Sequence, residues 1–375
     1  MMESLLINNY KNIRHLHVGK LGRVNLVWGK NNTGKSSLLE ALSIYAANGR
    51  VGQLYDILKH RGEDLNVFRF NANISADEEL NSFLPLVSDH DRSILETGGG
   101  IQIGESDEKM VSIQLVRVNR VRVKQENKTV TMREVTSLNS PLDGNTISSH
   151  LALQVTNHEL SLNYEVAMDG QGVRDLDLMD PDALPLNFPF KLVSSTGEQQ
   201  STLDKLWSAI SMSESEDYVI KALQIIEPRI KRFNILTTEN NVKEQGAVPF
   251  VMLEGKPNRV RLGSMGDGIN RVLTIILSLI NSKGGLFLLD EFENGLHYSV
   301  QRNLWNIIFE LAESLDIQVF ATTHSNDCIN SFAHSSVGKD GLAIRLDAHG
   351  DNISAQLYDN PEDLIFAVNE SIELR

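Results

Sequence analysis

The sequence predicts an α/β fold: a central, mostly parallel sheet flanked by helices, an antiparallel β-element on its N-terminal side, and an inserted α+β lobe. Three observations predict it. A glycine-rich loop joins an apolar run (Val24, Leu26, Val27, Trp28) to a helix-like run (Ser37-Leu38-Leu39-Glu40-Ala41-Leu42). Far along the chain, the apolar run Gly285-Leu286-Phe287-Leu288-Leu289 ends on two carboxylates, Asp290 and Glu291. A β-branched and apolar run, Ile317-Gln318-Val319-Phe320-Ala321-Thr322-Thr323, ends on His324. Short apolar runs that do not alternate with polar residues fit strands buried on both faces of a parallel sheet. Polar groups at the C-terminal ends of such strands lie where α/β sheets bind ligands.

The loop is Gly29-Lys30-Asn31-Asn32-Thr33-Gly34-Lys35-Ser36, a complete G-x-x-x-x-G-K-S motif in its strand–loop–helix setting. Glycines let the backbone curl so that successive N–H groups converge on phosphate oxygens, and the helix starting near Lys35 adds its positive end. The phosphate-binding set is therefore Gly29, Asn31, Asn32, Thr33, Gly34, Lys35, Ser36 and Ser37. Lys35 is placed to reach the β- and γ-phosphates of ATP and the Ser36 hydroxyl to ligate Mg²⁺. Asp290 would hold the same Mg²⁺, and Glu291 would orient or deprotonate the attacking water. His324 is placed to sense the γ-phosphate.

A further stretch, Leu262-Gly263-Ser264-Met265-Gly266-Asp267-Gly268-Ile269-Asn270-Arg271, is expected to open a helix over Val272–Ile280. A serine- and glycine-rich helix start is another anion site. One chain already has a phosphate loop, so a second such site points to use in trans.

Phosphate loop, serine/glycine signature, Asp-Glu and histidine follow one another in the order of ABC-type P-loop ATPase heads, which the chain resembles. More narrowly, it resembles the AAA15/AAA21-type, or overcoming-lysogenization-defect-like, ATPases of prokaryotes. The strings that carry this are Ser4-Leu5-Leu6-Ile7-Asn8-Asn9-Tyr10-Lys11-Asn12-Ile13, Asp290-Glu291-Phe292-Glu293-Asn294-Gly295-Leu296-His297 and Ala321-Thr322-Thr323-His324-Ser325. The match covers residues 1–60 and 185–375. The resemblance implies an ATP-dependent homodimer in which Ser264 and Gly266 face the γ-phosphate of the partner's ATP, with Arg271 adding positive charge nearby. It places Glu293–His297 at the dimer interface and adenine contacts at the Tyr10–Arg14 turn. It also implies a Mg²⁺-coordinating glutamine from the insert, for which Gln102 and Gln114 are both candidates. Relatives are often encoded beside, or fused to, a Toprim-type nuclease, and several act in anti-phage defence. Only 51 residues follow His324 (375 − 324), too few for such a domain, so any effector is expected to be a separate protein.

The map that follows has three parts: residues 1–60, the N-terminal half of the head; 61–200, an inserted lobe; and 201–375, a helical subdomain with the C-terminal half. Strands are expected over 3–28 with turns at Asn8-Asn9 and Gly19–Gly22, and helices over 36–48, Gln53–Lys59, Glu78–Leu84 and Ser201–Glu227, the last broken near Ser211–Glu216. Residues 101–168 read as β-rich, Asp169–Pro189 as an acidic loop, and Ile344–Arg375 as closing strands and a helix. The insert lacks the heptads of chromosome-structuring relatives. That, with a net charge of −14, counts against the main competing reading, a repair-type ATPase acting directly on DNA. The length of the insert and the degenerate Ser264-Met265-Gly266 count against a transporter subunit.

A single cysteine, Cys328, fits a reducing compartment, and no apolar run is long enough to span a bilayer. The expected location is the cytoplasm, away from the membrane, with nucleic acid at most an indirect partner. Arg120, Arg122 and Lys124 share one strand face by period two and read as charges guarding an edge strand. Asp175–Asp182 reads as a flexible acidic loop rather than a metal site. Trp207 and Trp305 read as packing residues, and Trp28 as a buttress of the phosphate loop.

Overall fold

The computed structural model describes residues 1–62, 83–96, 99–125, 128–141, 144–157, 161–165, 174–175, 185–195, 200–238, 246–350 and 352–369. The chain begins with β1 (Leu5–Tyr10), β2 (Ile13–Val18), β3 (Val24–Gly29), α1 (Lys35–Ala46), α2 (Val51–His60) and the short α3 (Arg92–Glu96). A β-rich stretch follows: β4 (Ile101–Ser106), β5 (Lys109–Gln125), β6 (Lys128–Thr136), β7 (Thr146–Thr156), β8 (Ser161–Glu165) and β9 (Arg174–Asp175). Then come β10 (Phe190–Val193), α4 (Gln200–Ser208), α5 (Ser215–Leu223), β11 (Ile230–Thr238), β12 (Gly246–Leu253), β13 (Val260–Arg261) and α6 (Asp267–Ile280). The chain closes with β14 (Leu286–Leu289), α7 (Tyr298–Ser314), β15 (Gln318–Thr323), α8 (Asn326–Ser336), β16 (Gly341–His349), β17 (Asn352–Tyr358) and α9 (Pro361–Asn369).

The central sheet has the order β10-β14-β15-β3-β16-β17, parallel throughout except for the final pair. Its middle strands are buried on both faces, as their unbroken apolar runs predict. Phe287, Leu289, Val319, Ala321, Leu26 and Trp28 pack on one side with α6, α7 and α8. Leu286, Leu288, Phe320, Val27 and Ile344 pack on the other, with α1 and the β1–β2 hairpin. Each such side chain contributes about 1.5–3 kcal/mol on burial. Helix α6 is buried nearly all round, which explains its dense Ile/Leu/Val composition.

A second sheet runs β2-β1-β4-β5-β7-β8-β9, with β6 beside β5. Strand β4 pairs with β1, so the β-rich stretch continues the N-terminal hairpin. A third, small sheet is β11-β12-β13.

Four local expectations change. The first hairpin turns at Lys11-Asn12, since Tyr10 pairs with Ile13. Asn8 and Asn9 lie inside β1, and their amides bond Gln102 and the Gly100 carbonyl on the neighbouring strand and its lead-in. The helix after the signature begins at Asp267, not Val272, because Gly266 (φ 104°) sets the chain directly into it. Strand β5 is an edge only in part: β6 and β7 pair with its two sides over Arg117–Val121, while Arg122–Gln125 pair, among the described strands, with β6. Finally, the break between α4 and α5 spans 209–214, slightly earlier than expected. Glu78–Ser82, most of Asp169–Pro189, Asp177–Asp182 and Glu373–Arg375 lie outside the described residues. Among the described residues no helix is long and apolar enough to cross a membrane.

Candidate active site

Strand β3 delivers Gly29 to the C-terminal edge of the central sheet, and α1 starts at Lys35. Gly34 between them is left-handed (φ 87°), and no side chain caps the helix. Its first N–H groups are thus left for an anion. A Cβ on Gly29 would lie 2.4 Å from the Leu346 carbonyl oxygen, so only glycine fits there. Lys35 is 5% exposed and folds back, donating to the carbonyls of Gly29 (2.9 Å) and Lys30 (2.7 Å). Burial lowers its pKa to about 8, against the opposing pull of Asp290, Glu291 and Glu293.

Strand β14 brings Asp290 beside the loop: the Ser36 hydroxyl lies 3.1 and 3.2 Å from its two carboxylate oxygens. The Thr322 hydroxyl donates to Asp290 Oδ1 at 2.6 Å and accepts from the Glu291 backbone N–H at 2.9 Å. One threonine on β15 therefore fixes both carboxylates. Glu291 has φ 48°, a strained value for a non-glycine residue, which surrounding bonds must hold. Phe292 N–H to the Thr322 carbonyl is one. The Arg271 guanidinium is another, donating to the carbonyls of Asp290 (2.9 Å) and Glu291 (3.2 Å), and also of Ser194 (3.0 Å).

At the end of β15, His324 is exposed. Its backbone N–H donates to Glu293 Oε1, and the Thr323 hydroxyl donates to Glu293 Oε2, both at 2.7 Å. His324 lines the same cleft as Asn31, Asn32, Gly34, Lys35, Ser36 and Ser37, a cavity of about 590 Å³. That cleft has room for a nucleotide. A hydroxyl beside a carboxylate offers the hard oxygen donors Mg²⁺ prefers. Among the described residues no group of three or more His, Cys, Asp or Glu is placed to hold a metal. The pair therefore suits Mg²⁺, which keeps waters and substrate phosphates as its other ligands, rather than an ion caged by protein.

The structure does not bring every expected residue here. Ser264 is exposed and lines a separate cleft of about 840 Å³ with Asp267, Asn270, Asn294 and Gly295. Gly266 opens α6 beside it. Arg271 points inward to the backbone of its own Asp290 and Glu291 rather than out toward a second chain, because α6 packs that face against β14. Neither glutamine candidate lines the phosphate-loop cleft. Gln102 accepts from Asn8 and Gln114 donates to Gln154, both within the second sheet.

The segment before α3 lines the cleft instead, through Pro85, Asp89 and His90. It is tied to the first hairpin by Lys11 N–H to the Leu86 carbonyl, the Ser88 hydroxyl to the Ile13 carbonyl, and an Arg14–Asp89 ion pair. The hairpin turn reaches the phosphate loop in turn: Asn12 donates to the Asn32 carbonyl and accepts from the Ser37 hydroxyl. Sequence reasoning missed Thr322 and the Asp89-His90 turn, and it did not foresee that Glu293 bonds the end of β15. The left-handed φ values of Asp89 and His90 (56° and 55°) have no local sequence signal. Trp28 lies fully buried against Tyr358 under the loop, and Trp207 and Trp305 are core residues. Cys328 is fully buried and its thiol pKa is pushed up by burial, which leaves it unreactive.

Residues 1–128 match the family model of the AAA ATPase domain, and residues 218–329 match that of an AAA domain described as a putative AbiEii toxin of a type IV toxin–antitoxin system. The chain is 25% identical to a Helicobacter pylori protein named ATP/GTP phosphatase, over 97% of this chain and 100% of that one. A stretch of 45 residues, 12% of this chain and 20% of the relative, is 47% identical to an uncharacterized protein of Methanocaldococcus jannaschii. Among solved structures, an SMC head bound to the C-winged helix domain of ScpA is similar at a TM-score of 0.47 and 11% identity, covering 96% of this chain and 99% of that one. The SMC head domain from Thermotoga maritima gives 0.43 and 11%, over 95% and 98%. The AAA ATPase-domain match spans the phosphate loop, and the second AAA-domain match spans Ser264, Asp290, Glu291 and His324, so the chain is an ATPase that carries AAA-type domains.

Proposed function

We propose that the chain is a homodimeric, ATP-driven switch that gates or scaffolds a separate effector protein. The observation that carries this reading is the division of the site. Ser264 stands exposed beside Asn294 and Gly295, in a cleft distinct from the one that holds the phosphate loop. A second copy would bring its Ser264 and Gly266 to the first copy's ATP. Within each site the loop N–H groups, Lys35 and Ser37 bind the phosphates, and Ser36 and Asp290 hold Mg²⁺, which supplies charge neutralisation on the transferred phosphoryl group. Glu291 takes the proton of the attacking water, and His324 reads the γ-phosphate. ATP binds the closed dimer more tightly than the open one, and that difference is the free energy available to an effector. The resemblance to overcoming-lysogenization-defect-like ATPases favours an effector of nuclease type in anti-phage defence, acting in the cytoplasm.

The test is Ser264→Arg. Single-chain ATP affinity should stay at the wild-type value, while the ATP-dependent dimer seen by sedimentation velocity disappears. A wild-type chain that stays monomeric with ATP under conditions of blocked hydrolysis would sink the switch reading.

Proton linkage gives a second expectation. Lys35 titrates near pH 8 in the free protein, below the ordinary 10.5. Bound phosphates favour its charged form, so ATP binding above pH 8 takes up a proton. Affinity should be level below about pH 7 and fall by up to about tenfold per unit above pH 8. The stability of the free protein moves the other way. Below pH 8 both folded and unfolded chains carry the proton and the folded state bears the whole burial cost, so stability rises as pH climbs from 8 toward 10.5. Calorimetry of ATP binding in two buffers of different ionisation enthalpy measures the proton uptake.

A further inference from the structure

We infer that the Asp89-His90 turn is the nucleobase platform of the ATP cleft. The His90 imidazole stacks on the purine, and the Asp89 carboxylate accepts from its 6-amino group, so the chain prefers adenine to 6-oxopurine nucleotides. This rests on the phosphate-loop cleft being the nucleotide site. That cleft has two kinds of lining. Lys35, Ser36 and His324 line it with the phosphate loop, where the triphosphate and Mg²⁺ belong. The rest comes from the hairpin turn, from Arg61 past α2, and from Pro85, Asp89 and His90 before α3. With the phosphates held by the loop, the ribose and base extend over this second part. A base is flat and uncharged, so it is held by stacking on a ring and by hydrogen bonds at its edge.

The side chains of the hairpin turn are already engaged. Tyr10 is fully buried, and its hydroxyl and the Lys11 ammonium both donate to Glu40. Asn12 uses its amide on the Asn32 carbonyl and its oxygen on the Ser37 hydroxyl. Ile13 is buried, and Arg14 donates to Asp89. His90 differs from all of these. It is exposed, and among the described residues its ring makes no hydrogen bond, ion pair or ring contact. His90 and His324 are the aromatic residues that line the cleft among those described, and His324 stands at the phosphate end beside the Glu293 carboxylate. His90 is the ring left for a base.

The backbone holds this ring in advance. Asp89 and His90 are consecutive left-handed residues (φ 56° and 55°), a sparsely populated conformation for non-glycine residues. The His90 N–H donates to the Val87 carbonyl and the Asp91 N–H to the Ser88 carbonyl, both at 3.1 Å. The Ser88 hydroxyl ties the turn to the Ile13 carbonyl. A strained turn fixed from two sides pays its ordering cost before the ligand arrives.

Asp89 supplies the edge contact. Its Oδ2 accepts from Arg14 Nε at 2.9 Å, and among the described residues its Oδ1 has no partner. One free carboxylate oxygen suits the single 6-amino group of adenine. A 6-oxopurine sets a carbonyl oxygen against the same carboxylate. Guanine's neighbouring donors, N1–H and the 2-amino group, call for both carboxylate oxygens, and Arg14 holds one of them.

The test is calorimetric binding of ATP, ITP (its 6-oxo analogue) and tripolyphosphate, each with Mg²⁺, to the full chain. Wild type should hold ATP more tightly than either of the others. His90→Asn removes the ring and still tolerates a left-handed backbone. ATP affinity should fall by about 5- to 150-fold, the usual worth of one stacked base, while tripolyphosphate affinity stays at the wild-type value. His90→Tyr restores a ring and should recover most of that loss. Asp89→Asn leaves an oxygen for Arg14 and offers an amide donor to a 6-oxo group, so the preference for ATP over ITP should shrink by about tenfold. The platform is overturned if wild type binds ATP no more tightly than tripolyphosphate. It is overturned equally if His90→Asn weakens both ligands alike, which marks a purely structural turn, or if Asp89→Asn leaves the ATP-to-ITP ratio unchanged. Failure of all three ligands to bind wild type would remove the cleft as the nucleotide site and the platform with it.

Discussion

Glu291→Gln should lower ATP turnover by about 10²–10⁴-fold, the usual contribution of a positioned general base. The substitution keeps shape and removes only the ability to accept a proton. The backbone at this position is already constrained: φ is 48°, its N–H is held by Thr322 Oγ1, and its carbonyl by Arg271. Glutamine inherits the same anchors, so ATP binding should persist and, with hydrolysis blocked, the ATP-bound dimer should accumulate. Phosphate release and sedimentation velocity on the same preparation separate the two effects. Turnover within a few-fold of wild type would remove Glu291 from the reaction. Normal loss of turnover without a dimer would keep the chemistry and remove the switch.

What the sequence made legible has a common physical cause. The phosphate loop is local: its glycines, lysine and serine are contiguous, and their spacing is dictated by phosphate geometry within one strand–turn–helix. Strands β14 and β15 declare themselves because burial on both faces forces an unbroken apolar run. The residues that escaped notice are defined by pairing across the chain. Thr322 looks like any strand threonine until β14 and β15 align and set it beside Asp290. Glu293 becomes a tether only when the chain after Asp290 meets the end of β15. Asn8 and Asn9 have turn-forming composition, yet β4 supplies partners for their amides and the turn moves to Lys11-Asn12. The edge reading of β5 fits Arg122 and Lys124 but not Arg120, where β7 still pairs, for the same reason: no strand's neighbours are written in its own residues.

Arg271 is where the two readings differ most in consequence. Its position after the signature would let it add positive charge near the partner's ATP; in the structure it bonds the backbone of its own chain. The guanidinium is 8% exposed and spans three carbonyls on two segments, Ser194 after β10 and Asp290-Glu291 after β14. Burial pushes its pKa down, while Asp290, Glu291 and Glu293 oppose that push, and arginine stays charged throughout. Arg271→Ala leaves the three carbonyls without their donor and Lys35 as the remaining cation near Asp290, Glu291 and Glu293, a loss of about 1–3 kcal/mol. Lysine is a poor substitute, because a point charge cannot reproduce a planar fork across separate segments. A lower melting temperature should therefore accompany Arg271→Ala, and turnover should fall to background as the strained Glu291 loses its anchor. The phosphate loop meets this clamp only through Ser36 on the Asp290 carboxylate, while its N–H groups and Lys35 are held elsewhere, so ATP binding should survive. Mixing Arg271→Ala with Lys35→Ala chains decides between the readings. If Arg271 served the partner's ATP, the Arg271→Ala chain would find an intact Arg271 on its Lys35→Ala partner, and its own intact loop would hydrolyse ATP again. If Arg271 holds its own Asp290 and Glu291, neither site in the mixed dimer is complete and the mixture stays inactive.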